Sequence, residues 1–175
     1  MYNEFKVEKL TMKECIIRFD GVNRFLSNFY PYGATDEAMS GEIIPVKITF
    51  EELTYTSVEH AYQASKTLNK DERKEIQQAR TANVAKKFGR QVTLRDNWEI
   101  IKEDVMLEFL RQKFSFPELR EKLGATGRRE LIEGNYWHDC YWGVCYCNKC
   151  LGVGQNKLGN QLMFIRDCHV KEEWL

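Results

Sequence analysis

The chain has no apolar run long enough to span a bilayer, no internal repeat and no low-complexity segment. The first absence excludes a membrane-spanning helix, which needs about 20 largely apolar residues. The others leave no repeat array and no obvious domain linker. Surplus charge of one sign is also missing: Lys plus Arg equal Asp plus Glu at 26 each. Non-specific coating of nucleic acid runs on excess positive charge and is excluded on that ground. A local basic pocket for a phosphorylated small molecule is not. Residues Met1 to Lys13 are polar and charged and lack the apolar core of a signal peptide. Without an export signal, six cysteines point to reduced thiols or a metal site rather than a disulfide framework. The expectation is a soluble, cytoplasmic protein that does not engage membrane.

What is present suits one domain of ordinary size. The 175 residues are 43% hydrophobic and 13% aromatic, enough for a real core. Short strands are expected at Cys15 to Phe19, Ile43 to Thr49, Leu53 to Thr56 and Leu131 to Glu133. Asp20 to Asn23 is a turn signal, and Gly33 to Gly41 is a polar connection. Helices are expected at Ser57 to Leu68 and Asp71 to Ala79, then from a Thr81 cap to Gly89. The longest, Asn97 to Phe114 after Asp96, carries Trp98, Ile101, Val105, Phe109 and Leu110 at helical spacing. Pro117 opens a short helix ending near Gly124, and Gly159 to Arg166 forms the last. The fold class is α+β: a helix-rich single domain over residues 1–175, core about 16–166, with a small sheet.

Three stretches concentrate chemistry. Ser57 is an N-cap ahead of Glu59, Gln63 and Lys66, which are spaced i, i+4, i+7 and share one helical face. They form either an acid/base array or a solvated salt-bridged face. Asn135 to Gly143 packs Tyr136, Trp137, His138, Asp139, Tyr141 and Trp142 together. Aromatic faces stack on nucleobases and a carboxylate among them suits proton transfer, or the rings simply plug the core. Gly152 to Asn160 is a glycine-rich loop running into a helix: a phosphate cradle of neither Rossmann nor P-loop spacing, or a plain turn. Beside these, Cys145, Cys147 and Cys150 offer three of the four ligands a tetrahedral zinc would want, with His138, Cys140 or Cys168 open as the fourth; reduced loop cysteines are the alternative. Arg24 suits a phosphate or carboxylate. Trp98 suits core packing.

The order of these motifs carries a resemblance. Phe25-Leu26-Ser27-Asn28-Phe29 is followed by Ser57-Val58-Glu59-His60-Ala61-Tyr62-Gln63-Ala64 with Lys66, then Ala85-Lys86 with Gly89-Arg90, Trp98, Met106 and Lys113-Phe114. Leu123, Thr126-Gly127, Glu133, Asp139 with Trp142-Gly143, Gly154 with Asn156, Leu158-Gly159 and Leu162-Met163 come after them. The run, from about Phe19 to Arg166, resembles the NADAR family (NAD- and ADP-ribose-associated proteins), which includes the YbiA-type N-glycosidases. The cysteine loop departs from the shortest family pattern.

The resemblance implies a YbiA-like fold and a hydrolase acting on a ribose C1–N bond. ADP-ribosylated guanine, free or in DNA or RNA, is the first substrate class. Phosphorylated riboflavin-pathway intermediates are the second, and a non-catalytic ADP-ribose-binding module is the alternative from another class. Lys66, Glu59 and Asp139 are the implied catalytic residues, with Lys66 as a Schiff-base amine or the two carboxylates as an acid/base pair. Arg24, Asn28, Gln63, Arg90, Trp98, Trp137, Trp142, Gly154 and Asn156 are the implied substrate contacts. No cofactor is called for.

Overall fold

The computed structural model describes residues 15–32 and 43–170. The expected N-terminal segment and the Gly33 to Gly41 connection lie outside the described residues. These residues fall into two compact units, one from 15–27 with 120–170 and one from 28–32 with 43–119. No helix of the described residues is long and apolar enough to cross a membrane.

The second unit is built around a short helix, α1 (Val58–Ala64). It packs against α2 (Lys70–Gln77), α3 (Ala82–Phe88), α4 (Trp98–Phe114) and the hairpin β2 (Ile48–Phe50) and β3 (Leu53–Tyr55). Enclosed by these elements, all seven α1 residues are buried. The N-caps are legible chemistry: Ser57 Oγ accepts from His60 N at 3.2 Å and Thr81 Oγ1 from Val84 N at 3.3 Å. Asn69 Oδ1 caps α2 by accepting from Asp71 N at 2.9 Å. Each such cap contributes about 1 kcal/mol. On α4, Met106, Phe109, Leu110 and Phe114 are buried, whereas Ile101 and Val105 are only half-buried. Phe109 meets Phe50 edge-on with ring centroids 5.5 Å apart, which ties α4 to the hairpin.

The first unit pairs β1 (Cys15–Ile16) with β4 (Glu130–Leu131) in parallel, and β5 (Gly134–Asn135) with β6 (Val144–Cys145) in parallel. A 3-10 helix, Gly21–Leu26, follows β1. The last helix, α6 (Lys157–Val170), lies on β4 and buries Leu158, Leu162 and Ile165. Residues Pro117–Gly124 form α5.

The α+β class holds, with several local corrections. Among the described residues, three separate two-stranded pairs stand in place of one small sheet. Of the strand expected over Ile43 to Thr49, only Ile48 and Thr49 are strand, in β2, which runs one residue further to Phe50. The helix expected to reach Leu68 stops at Ala64, because Ser65 Oγ donates to Tyr62 O (2.8 Å) as the last turn closes. Asn97, not Asp96, occupies the cap position of α4. Helix α6 starts two residues before Gly159 and extends four beyond Arg166.

Candidate active site

Burial decides between the two readings of the α1 face. Glu59 and Gln63 are only 5% and 4% exposed, so they do not form a solvated salt-bridged surface. A buried carboxylate needs partners. Gln63 Nε2 donates to Glu59 Oε1 at 2.8 Å, the i, i+4 contact expected from the spacing. Glu59 N donates to the carbonyl of Asn28 at 3.0 Å, which fastens the segment after Leu26 to the start of α1. Asn28 is itself buried and donates through Nδ2 to Met106 Sδ at 3.4 Å, a weak acceptor. Asn28 Oδ1 and Gln63 Oε1 are buried acceptors with no hydrogen-bond partner among the described residues. Leaving such an oxygen bare costs about 1–3 kcal/mol, so each is an acceptor that an incoming donor would complete.

Lys66 stands just past the end of α1, half-buried, with Nζ 5.7 Å from the centre of the Tyr62 ring. Burial pulls its pKa below the ordinary 10.5; Glu59 pulls it back up, while Lys86 and Arg90 push it further down. A desolvated amine flanked by two other cations holds its proton weakly, as a nucleophilic lysine requires. Lys86 Nζ also lies 5.3 Å from the Phe29 ring centre. Position 89 is glycine for a spatial reason. A Cβ there would come within 2.1 Å of Gln63 Oε1, so any side chain would displace the amide.

The unit therefore brings Asn28, Glu59, Gln63, Lys66 and Arg90 into one neighbourhood. Lys86, from the Ala85-Lys86 pair of the family-like run, joins them through its charge on Lys66, a proximity that no spacing in the sequence reports. Trp98 is 5% exposed and packs on Tyr62 at 5.0 Å, so its ring supports α1 from inside the core. His60 is also structural: Nδ1 is 2.7 Å from Ser57 Oγ and Nε2 is 3.1 Å from Ala79 O, and burial lowers its pKa.

The other expected residues belong to the first unit, and two of them, Asp139 and Asn156, engage backbone through their side chains. Asp139 Oδ1 accepts from Tyr141 N (3.2 Å) and Trp142 N (2.9 Å), so this carboxylate builds a turn. Asn156 Oδ1 accepts from Glu133 N (3.0 Å) and Nδ2 donates to Leu131 O (2.8 Å). The N–H groups of Gln155, Asn156, Lys157 and Leu158 donate to the carbonyls of Cys140, Gly143, Tyr141 and Trp142. Those four donors are thus engaged by carbonyls and are not free for a phosphate. Gly154 is required because a Cβ would fall 2.1 Å from Gly143 O. Trp137 is 64% exposed. Trp142 is half-buried and meets Tyr141 edge-on at 5.3 Å. Arg24 lies near Glu133 and Asp20, whose charges oppose the lowering of its pKa by burial.

One further cluster lies in this unit. The ligand atoms of His138, Cys145, Cys147 and Cys150 lie within 4.8 Å of one another. His138 is thus the residue that joins the three cysteines, with Cys140 Sγ 3.6 Å from Cys150 Sγ beside them.

Comparison with known proteins accords with this architecture. The family model for the NADAR domain matches residues 18–168, a span that includes both units. N-glycosidase YbiA of Escherichia coli (strain K12) is 35% identical over 159 residues, covering 89% of each chain. N-glycosidase Npun_R5314 of Nostoc punctiforme is 33% identical over 147 residues, covering 81% of this chain and 82% of that one. The chloroplastic riboflavin biosynthesis protein PYRR of Zea mays is 31% identical over 153 residues, which is 80% of this chain but 22% of that protein. The NMR structure of E. coli YbiA superposes with a TM-score of 0.70 at 32% identity, covering 93% of this chain and 89% of that one. On sequence and on fold, this chain belongs to the NADAR domain family.

Proposed function

We propose that the protein is an N-glycosidase that cuts a ribose C1–N bond, with Lys66 as its nucleophilic amine. The observation that carries the reading is the half-buried Lys66, its pKa lowered, beside the buried Glu59–Gln63 pair. The names of the two N-glycosidase relatives support the reaction class.

The chemistry runs on a ring-opened sugar. Opening the ring moves the C1–O4 electron pair to oxygen, which takes a proton, and leaves C1 doubly bonded to the base nitrogen. The neutral amine of Lys66 adds to C1. The base nitrogen then departs with a proton, leaving C1 joined to Nζ as a Schiff base. Water adds to C1, Nζ leaves as the free amine, and the sugar is released as an aldehyde. Glu59 is the group that carries protons between the ring oxygen, the base nitrogen and water. Asn28 Oδ1 and Gln63 Oε1 accept from sugar hydroxyls or base N–H groups, and Lys86 and Arg90 hold phosphate.

ADP-ribose on guanine is the first substrate class, since a pyrophosphate arm suits the paired cations Lys86 and Arg90. The second is a phosphorylated riboflavin-pathway intermediate, favoured by the likeness to the PYRR protein. A panel of ADP-ribosylguanosine, the same lesion in single-stranded DNA, and ribosylamino-pyrimidine phosphates tests the assignment. Release of guanosine or guanine-containing DNA supports the first class, and release of the free pyrimidine the second. Tight ADP-ribose binding with no release from any member would leave a binding module instead.

A further inference from the structure

We propose that His138, Cys145, Cys147 and Cys150 bind one structural zinc ion. The four donor atoms lie within 4.8 Å of one another. His138 Nδ1 is 3.3 Å from Cys147 Sγ and 3.3 Å from Cys150 Sγ. Zinc bonds of 2.0–2.3 Å at tetrahedral angles set nitrogen and sulfur donors about 3.5 Å apart, so these spacings suit one ion at the centre. Three thiolates and an imidazole are a soft, oxygen-free set, which selects zinc over magnesium or calcium. All four positions are filled by protein, the arrangement of a structural site rather than a catalytic one.

The backbone is shaped for this set. Cys145 is fully buried on β6, where its N–H donates to Val153 O and its carbonyl accepts from Gly152 N. Cys147 to Cys150 is a tight turn in which Cys150 N donates to Cys147 Sγ at 3.4 Å, a bond that favours a thiolate. Leu151 and Gly152 then take left-handed conformations with φ of 52° and 81°, which turns the chain back toward Val153. His138 is left-handed as well, with φ of 69°. Its neighbours Trp137 N and Asp139 N both donate to Asn135 Oδ1, so one asparagine holds the turn that carries the imidazole toward the sulfurs. No residue of the Glu59–Lys66 face takes part. The site would tie the 135–142 turn to the 145–153 loop that leads into α6.

Metal analysis of the full chain, purified reduced and without chelator, is the test. About one zinc per chain is expected. Cys147→Ser, Cys150→Ser and His138→Ala should each lose at least about ten-fold in zinc affinity, and Cys140→Ser should keep it. Because a ligand variant can fail to fold, a second measurement uses the wild-type protein. Zinc is removed by chelation and Co²⁺ is titrated back. A thiolate-to-cobalt charge-transfer band and intense tetrahedral visible bands, saturating at one equivalent, are expected. Wild-type protein that carries no zinc and takes up Co²⁺ without those bands would overturn the proposal. So would a Cys140–Cys150 disulfide in the unreduced protein, or zinc lost in Cys140→Ser but kept in His138→Ala.

Discussion

The α1 face and the Asn135 to Asn156 segment are both rich in polar groups, but they use them differently. On the segment, Asn135, Asp139 and Asn156 direct their side chains to backbone N–H and C=O groups, and four N–H groups before and within the first turn of α6 are taken by carbonyls. On the α1 face, Asn28 and Gln63 keep bare buried oxygens, and Lys66 is an amine whose burial weakens its hold on its proton. Satisfied polarity builds a scaffold. Unsatisfied polarity costs stability and persists where a ligand completes it. On that contrast we place the proposed chemistry on α1 and assign the aromatic segment to architecture.

The sharpest break of that contrast is at Lys66. Lys66→Ala is expected to lower turnover by at least about 10³-fold with the circular dichroism spectrum unchanged. Turnover within a few fold of wild type would remove the amine from the chemistry. Glu59→Gln keeps the shape and the hydrogen bond to residue 63 but not the proton transfer. Its kcat should fall about 10²–10⁴-fold while Tm changes little. Gly89→Ala adds a methyl where Gln63 Oε1 stands, and should raise KM by displacing the amide.

The scaffold side responds in stability. Asn156→Ala strips partners from Glu133 N–H and Leu131 C=O and should cost about 1–3 kcal/mol in denaturant melts. Asp139→Asn retains an acceptor oxygen for Tyr141 and Trp142, so Tm and turnover should both stay near wild type. A folded but inactive Asp139→Asn protein would return this carboxylate to the mechanism beside Glu59.

The smallest effect is a pH dependence. The folded pKa of Lys66 lies below its ordinary 10.5, so the unfolded chain binds that proton more tightly. Stability contributed through Lys66 is therefore lowest below the folded value and rises as pH climbs from it toward 10.5. Lys66→Met should flatten that rise in melts run from neutral to alkaline pH. A slope identical to wild type would show that the amine is not desolvated.

Helices were legible because their signals are local. Ser57 and Thr81 cap through their own side chains, and the Glu59–Gln63 contact follows from four-residue spacing. Strands near Cys15, Ile48, Leu53 and Leu131 are legible as well, whereas β5 and β6 are not, because two-residue strands have no periodicity to read, and the register of Cys15 and Ile16 on Glu130 and Leu131 joins residues more than a hundred positions apart. The site was half legible for the same reason. Lys66 and Glu59 lie within eight residues of each other. The Asn28 amide, by contrast, is held through its Nδ2 by Met106 from α4, and the backbone role of Asp139 depends on a turn that no spacing rule reports. His138 was one of three open choices because a left-handed residue aims its ring outside any regular period.

Borohydride trapping during turnover tests the central claim most directly. With the best substrate of the panel, reduction should fix the sugar to the protein through a secondary amine, and peptide mass mapping should find the added mass on Lys66. An active enzyme that never yields the adduct, or yields it on another lysine, contradicts the account.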